Sequence, residues 1–173
     1  AHRNIIAGPS IDGIRIIDAS GTQILNNYIG TDITGAVALG FAQEGIEIQS
    51  GTGTIIGAIG SGNLISGNGF AGIGIQGGSA HIVQGNQIGT DATGMADLGN
   101  IGGGIIISGG ANTNVIGGGA AGEGNLISGN DSFGIRITGA GSDDNRIENN
   151  TIGLNLSASA ALANSNDGIR IDG

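Results

Sequence analysis

Apolar residues along this chain alternate in short bursts, and the bursts recur. The motif Gly-Ile-x-Ile begins an apolar pair at Ile14/Ile16, Ile46/Ile48, Ile73/Ile75, Ile105/Ile107, Ile135/Ile137 and Ile169/Ile171. Successive pairs start 32, 27, 32, 30 and 34 residues apart. Alternation with period two marks a strand with one buried face. Each pair is followed by a second short strand around Ile24, Ile55, Ile82, Val115 and Ile147, then by a third around Ile29, Ile65, Ile88, Ile127 and Ile152. Gly and Asn fill the stretches between, as bends with positive φ demand.

Longer phrases repeat as well. Asn63-Leu64-Ile65-Ser66-Gly67-Asn68 returns as Asn125-Leu126-Ile127-Ser128-Gly129-Asn130, and Ile29-Gly30-Thr31-Asp32 returns as Ile88-Gly89-Thr90-Asp91. A unit that cannot bury its apolar face alone does so by stacking on its copies. The pattern therefore predicts an all-β fold: a right-handed parallel β-helix of about six coils, three short strands per coil, with uncapped ends. Residues 1–173 form one domain or a fragment of a longer array. At about 4.8 Å per coil the rod is roughly 29 Å long. Asn68 and Asn130 fall at one matching corner, and Asn27, Asn86 and Asn150 at another, where their side chains can bond to backbone or to copies in adjacent coils.

Insertions alternate between coils. Long excursions run from Thr31 to Gln43, Thr90 to Gly103 and Leu154 to Asn166. The intervening coils carry only Gly-rich loops, Gly57 to Gly62 and Gly117 to Gly124. The repeating unit is thus a pair of coils of about 60 residues. Its long loops project from one edge of the rod, about 10 Å apart, and that edge is where binding is expected.

These motifs, from Asn4 to Asp172, resemble the right-handed parallel β-helix repeats of very large bacterial surface and secreted proteins in the pectin-lyase-like superfamily. The resemblance implies a polysaccharide lyase, hydrolase or epimerase in some members, with Asp, Arg, Lys or His on an exposed strand face and Ca²⁺ in many lyases.

Composition narrows the partners. The 173 residues carry a net charge of −9, with five Arg, no Lys and no Cys. So acidic a chain neutralises few phosphates, which argues against nucleic acid. An anionic membrane surface is disfavoured for the same reason, and no apolar run approaches the roughly 20 residues of a membrane span. Without Cys there is no disulfide frame. An acidic, lysine-free, Asn/Gly/Ser/Thr-rich repeat suits a bacterial extracellular or cell-surface location.

Candidate chemistry is thin. The outward position inside Gly-Ile-x-Ile stacks as Arg15, Glu47, Gly74, Ile106, Arg136 and Arg170. Arg15, Glu47, Arg136 and Arg170 are the candidate ligand-binding residues, with Arg15 and Glu47 placed to pair as an exposed bridge. Gly74 and Ile106 break that face in the middle. Asp32 and Asp91 are weak Ca²⁺ candidates, since each loop offers one carboxylate where Ca²⁺ wants six to eight oxygens. Both also suit a turn closed by its own side chain. Asn155 replaces the Asp in the third copy. Asp143-Asp144 sits in a turn, and Asp12 and Asp167 lie far apart along the rod, so no glycosidase dyad forms. His2 and His81 are isolated. No catalytic residue and no cofactor is assigned. The expected role is a structural or adhesive scaffold, self-associating head to tail through open β-helix ends or stacking on flanking coils of a longer chain. A lyase- or epimerase-like enzyme fragment acting on acidic polysaccharide, or a carbohydrate-binding module, is the alternative.

Overall fold

The computed structural model describes residues 2–173. It is a parallel β-helix, and no helix occurs among the described residues. Sheet 1 gathers the Gly-Ile-x-Ile strands in chain order: Ile14–Ile16, Ile46–Ile48, Ala71–Ile75, Gly103–Ile107, Phe133–Thr138 and Ile169–Asp172. Sheet 2 stacks Gln23–Ile24, Ile55–Ile56, Ile82–Val83, Val115–Gly117 and Arg146–Glu148. Sheet 3 stacks Ile5–Ile6, Tyr28–Ile29, Leu64–Ile65, Gln87–Ile88, Leu126–Ile127 and Thr151–Ile152. A two-stranded corner, Ala19–Ser20 with Gly51–Thr52, is continued by single bridges to Ser79 and Asn112. Every strand pairs in parallel with its equivalent one coil away, as in Ile14↔Ile46, Ile73↔Ile105 and Ile135↔Ile169.

The core is a bundle of isoleucine ladders. Ile46, Ile73 and Ile105 from sheet 1, Ile56 and Ile116 from sheet 2, and Ile29, Ile65, Ile88 and Ile127 from sheet 3 have no exposed surface. Each contributes about 1.5–3 kcal/mol of transfer free energy. β-Branched side chains suit this interior because they lose little rotamer freedom on an extended backbone. The second strand places Ile24 and Ile147 inward as expected, but in the three coils between them it runs one residue out of the expected phase. Ile24 registers with Ile56, and Val83 with Ile56 and Ile116. Ile55, Ile82 and Val115 therefore face outward, half-buried. Two consecutive apolar residues satisfy a two-residue period in either phase, and the corner preceding them decides which one turns in.

Three polar ladders run along the corners. Asn4, Asn27, Asn63, Asn86, Asn125 and Asn150 form the longest. The backbone N–H and the Nδ2 of each donate to the Oδ1 of the next, for example Asn63 to Asn86 at 2.9 Å and 2.9 Å. From Asn63 onward, Nδ2 also donates to a carbonyl of the preceding coil, as from Asn86 to Ile56 O at 2.9 Å. Asn68, Asn100, Asn130 and Asn164 repeat the device where sheet 3 hands over to sheet 1. The third ladder mixes residue types. Thr54 N–H donates to His81 Nδ1 at 3.1 Å, His81 N–H to Asn114 Oδ1 at 2.9 Å, and Asn114 to Asn145.

These corners pack backbone on backbone. A Cβ added at Gly62 would lie 1.7 Å from Gly85 O, and one at Gly40 would lie 1.9 Å from Gly67 O. No side chain fits there, which is why glycine recurs at these positions irrespective of φ.

The long excursions fold as antiparallel hairpins, bridged at Thr31↔Ala38, Thr90↔Asp97 and Leu154↔Ala161. They do not stand apart at the two-coil spacing. Ala92 N–H donates to Gly35 O at 2.9 Å, and Leu156 N–H to Gly94 O at 2.8 Å. Each hairpin leans across the short coil between and helps to bury its outward leucine, Leu64 or Leu126. The three loops thus form one continuous flange.

The ladder makes a quantitative expectation. Asn86→Ala removes the acceptor of two buried donors on Asn63 and exposes the carbonyl of Ile56 to an unfilled site. At about 1–3 kcal/mol per buried group left unsatisfied, it should cost about 2–5 kcal/mol in denaturant unfolding. Asn166→Ala, at an exposed position, should stay within about 0.5 kcal/mol.

Candidate functional site

The outer face of sheet 1 carries the charged column expected from the motif, in the expected register: Arg15↔Glu47, Glu47↔Gly74, Gly74↔Ile106, Ile106↔Arg136 and Arg136↔Arg170. It is two clusters, not one site. Ile106 separates them.

The first cluster occupies coils one to three. Arg15 Nε donates to Asp12 Oδ2 at 2.9 Å and lies 2.6 Å from Glu47 Oε2. The guanidinium remains partly open to water, but the carboxylates beneath it do not. The Asp12 side chain is 4% exposed and Glu47 is 5% exposed. The pair is therefore no exposed bridge, because its acidic ends are covered by the strands and by Gln49, whose Nε2 donates to Glu47 Oε2 at 3.1 Å. Asp12 holds the Arg15 guanidinium even more firmly charged than usual.

Gly74 does not leave the face broken. Glu44, from the end of the first hairpin, lays its side chain across it. A Cβ at Gly74 would lie 3.0 Å from both Glu44 Cγ and Oε1. Glu44 is 4% exposed. Its Oε1 accepts from Gln76 Nε2 at 3.3 Å, and its backbone N–H donates to Asp12 Oδ1 at 3.2 Å. Burial, with Glu47 and Asp12 adding repulsion, pushes the Glu44 carboxyl up to about 7. Motif reading missed this residue, because Glu44 lies outside the strand motif. The signal was the glycine at an outward strand position one coil on.

The second cluster lies at the far end. Arg136 Nε donates to Asp172 Oδ2 at 3.0 Å, and Arg170 Nε to Asp172 Oδ1 at 2.8 Å. The hydrogen bond from Arg170 holds the Asp172 carboxyl below its usual range. Both guanidinium carbons sit 5.4 Å from the centre of the Phe133 ring. Arg15, Arg136 and Arg170 are thus all occupied by carboxylates of their own chain.

Asp32 and Asp91 close their own hairpins. Asp32 accepts from Thr34 Oγ1 at 2.8 Å and from the N–H groups of Ala36 and Val37 at 3.1 Å and 3.2 Å. Asp91 repeats this with Thr93, Met95 and Ala96. The Thr34 hydroxyl, with these amides, keeps Asp32 below the usual carboxylate range. In the third copy Asn155 Oδ1 accepts from Ser159 N–H at 3.0 Å and from Ala160 N–H at 3.3 Å. An uncharged amide does the same work, so the turn needs the oxygen and not the charge. No group of three or more His, Asp or Glu side chains placed to hold a metal ion occurs among the described residues.

Open grooves lie elsewhere, beside sheet 3. One, of about 470 Å³, is lined by Ala120, Gly122, Asn149, Thr151 and Leu156. A smaller one, of about 220 Å³, is lined by Gly60, Gln87 and Ala92 together with Arg3 and Tyr28. They are equivalent positions one two-coil unit apart. Arg3 is the only charged residue in either, and it rests on the Tyr28 ring at 3.8 Å. Neither groove contains an acid–base pair.

His81 is fully buried, with Nδ1 accepting within the third ladder and Nε2 unpartnered, as is the Thr54 hydroxyl. Burial pushes the imidazole pKa down, against a smaller opposing effect of the Gly77 backbone. It fills an asparagine position and faces no groove. No family model, no curated protein and no solved structure matches the chain.

Two outcomes follow from this geometry. In the fold His81 takes up its proton only at lower pH than in the unfolded chain, where its ordinary value is 6.5. Its contribution to stability is therefore complete above pH 6.5 and lost as pH falls below it. His81→Asn restores a ladder residue and should remove that component of the acid slope in thermal melts. In the hairpins, Asp91→Asn should melt with the parent protein and Asp91→Ala earlier, with millimolar Ca²⁺ shifting neither.

Proposed function

We propose that the chain is a structural element of a bacterial extracellular or cell-surface protein, a solenoid whose coils stack end to end, with the flange available for adhesion. The carrying observation is that successive coils meet through one repeated joint. Isoleucine stacks on isoleucine in sheet 1, as in Ile14↔Ile46 and Ile73↔Ile105, and an asparagine column satisfies the corner, as between Asn63 and Asn86. Such a joint is heterologous, a contact that propagates instead of closing. A further coil, from a second copy or from a longer chain, would add by the same contacts, with Ile171 in register with the core position Ile137.

Several features support a scaffold over the polysaccharide-active alternative. The three arginines suited to uronate carboxylates are engaged internally, and the grooves lack paired acids. The flange offers apolar side chains for adhesion instead, with Ile33, Met95 and Leu156 exposed along its tip.

Electron microscopy and sedimentation of the purified chain test the reading. Rods whose lengths are multiples of about 29 Å, growing with concentration, are expected. Ile171→Lys places a charge in the joint and should reduce them to single units. Monodisperse particles at all concentrations, or rods indifferent to Ile171→Lys, would sink the self-stacking form of the proposal. The flanking-coil form is tested by appending one further two-coil unit after Gly173, which should raise the unfolding temperature.

A further inference from the structure

Among the described residues, Glu44 is the one buried carboxyl that ties three consecutive coils together. Its own segment lies in the second coil. Backward, Glu44 N–H donates to Asp12 Oδ1 at 3.2 Å, and Glu44 O accepts from Gly13 N–H at 3.1 Å. Forward, its Oε1 accepts from Gln76 Nε2 at 3.3 Å, and the next residue's Gly45 N–H donates to Ala71 O at 3.0 Å. The side chain occupies the surface over Gly74, the only residue type whose outward face leaves that space.

The surroundings are unbalanced in charge. Three acidic side chains converge, Asp12 from the first coil with Glu44 and Glu47 from the second, and one cation, Arg15, meets them. Arg15 contacts Asp12 and Glu47, not Glu44. The other polar neighbours, Gln49 and Gln76, are uncharged amides. With Asp12 and Glu47 ionised under Arg15, the cluster is neutral only to within one charge, and a third carboxylate on Glu44 would be buried without a counter-ion. An unpaired buried charge is expensive. A protonated Glu44 removes it and gains a donor facing Asp12, a hydrogen bond that itself favours the protonated form.

We propose that Glu44 is a proton-operated clamp on the first three coils, closed while its carboxyl is protonated and loosened once it is ionised. When the proton leaves, the carboxylate moves off Gly74 toward water, and the Gln43–Gly45 segment loses its hold on Asp12 and Gln76. The end of the first hairpin then opens, and with it the root of the flange. The rod is thus tightened by acid at this point and loosened toward neutral pH.

The direction of the effect follows from linkage. The closed form holds its proton up to about 7, whereas an open, solvated Glu44 releases it near 4.5. Between those values opening releases one proton, so the opening equilibrium rises by up to about tenfold per pH unit and levels off above the upper value. The stabilisation is complete below the lower value and gone above the upper.

Amide hydrogen exchange on the whole chain, corrected for the intrinsic pH dependence of exchange, reads this locally. Measurements are made in the His81→Asn background, which removes the opposing histidine slope. The Gly13 and Gly45 amides should show opening that rises by up to about tenfold per pH unit between pH 4.5 and 7, while the Ile88 and Ile127 amides in sheet 3 do not. Glu44→Gln keeps the shape and the acceptor for Gln76, and should be flat with pH and as protected as the parent at low pH. Gly74→Ala crowds the carboxyl by a few tenths of an ångström without changing any charge, and should raise opening at low pH relative to the parent. Parallel slopes in the parent and Glu44→Gln would overturn the clamp, as would a Glu44 carboxyl that titrates in the ordinary carboxylate range by NMR.

Discussion

The structure depends on a single repeated interaction: an asparagine amide whose Oδ1 accepts two N–H groups from the preceding coil while its Nδ2 donates to the next. Coils in a β-helix sit about 4.8 Å apart. That spacing suits strand pairing along each sheet, but at the corners the chain turns and its backbone groups lose their ladder partners. A buried N–H without a partner costs about 1–3 kcal/mol, and each coil has several corners. Asparagine solves the problem because one short side chain carries both an acceptor and donors. The amide of Asn63 accepts from Asn27 and donates to Asn86 and to Ile24 O, so a column of identical residues satisfies itself. Only when the corners are satisfied can the isoleucines between them be buried in register.

Much else is a consequence. Corners that close in on an asparagine column bring backbone against backbone, so glycine is required at Gly62 and Gly40 by contact and not by dihedral angle. The hairpins, inserted in alternate coils, lean over the short coils because Leu64 and Leu126 point outward there and need cover. The flange is thus part of the packing, and the Ala92–Gly35 and Leu156–Gly94 hydrogen bonds follow from that lean.

Most of this order was legible in the sequence. The Gly-Ile-x-Ile ruler placed all six strands of sheet 1 in their observed register, because alternation with a flanking glycine leaves one phase open. The second strand was not legible to the residue. Ile55-Ile56 and Ile82-Val83 carry apolar side chains on both faces, so periodicity cannot choose between them. The asparagine columns were half legible. Asn68 and Asn130 share a visible corner, but Asn100 and Asn164, in the same column, sit at the ends of long insertions that hide the alignment. The candidate site divides in the same way. Arg15 and Glu47 were found because they lie in the strand motif. Glu44 was not, because its partner is a glycine one coil away, and the sign of an inserted side chain was the absence of one elsewhere.

Most departures from the repeat are answered by their stacking neighbours. Phe41 takes an asparagine position at the ladder's end, and its N–H still reaches Asn68 Oδ1 at 3.4 Å. Asn155 replaces an aspartate and accepts the equivalent two amides. Gly74 drops a side chain and Glu44 covers the space. Arg136 and Arg170 stack like charges and share Asp172 between them. The exception is the third ladder, where His81 Nε2 and the Thr54 hydroxyl lack partners. Both residues are fully buried and line neither groove, so the exception is a cost carried inside the wall.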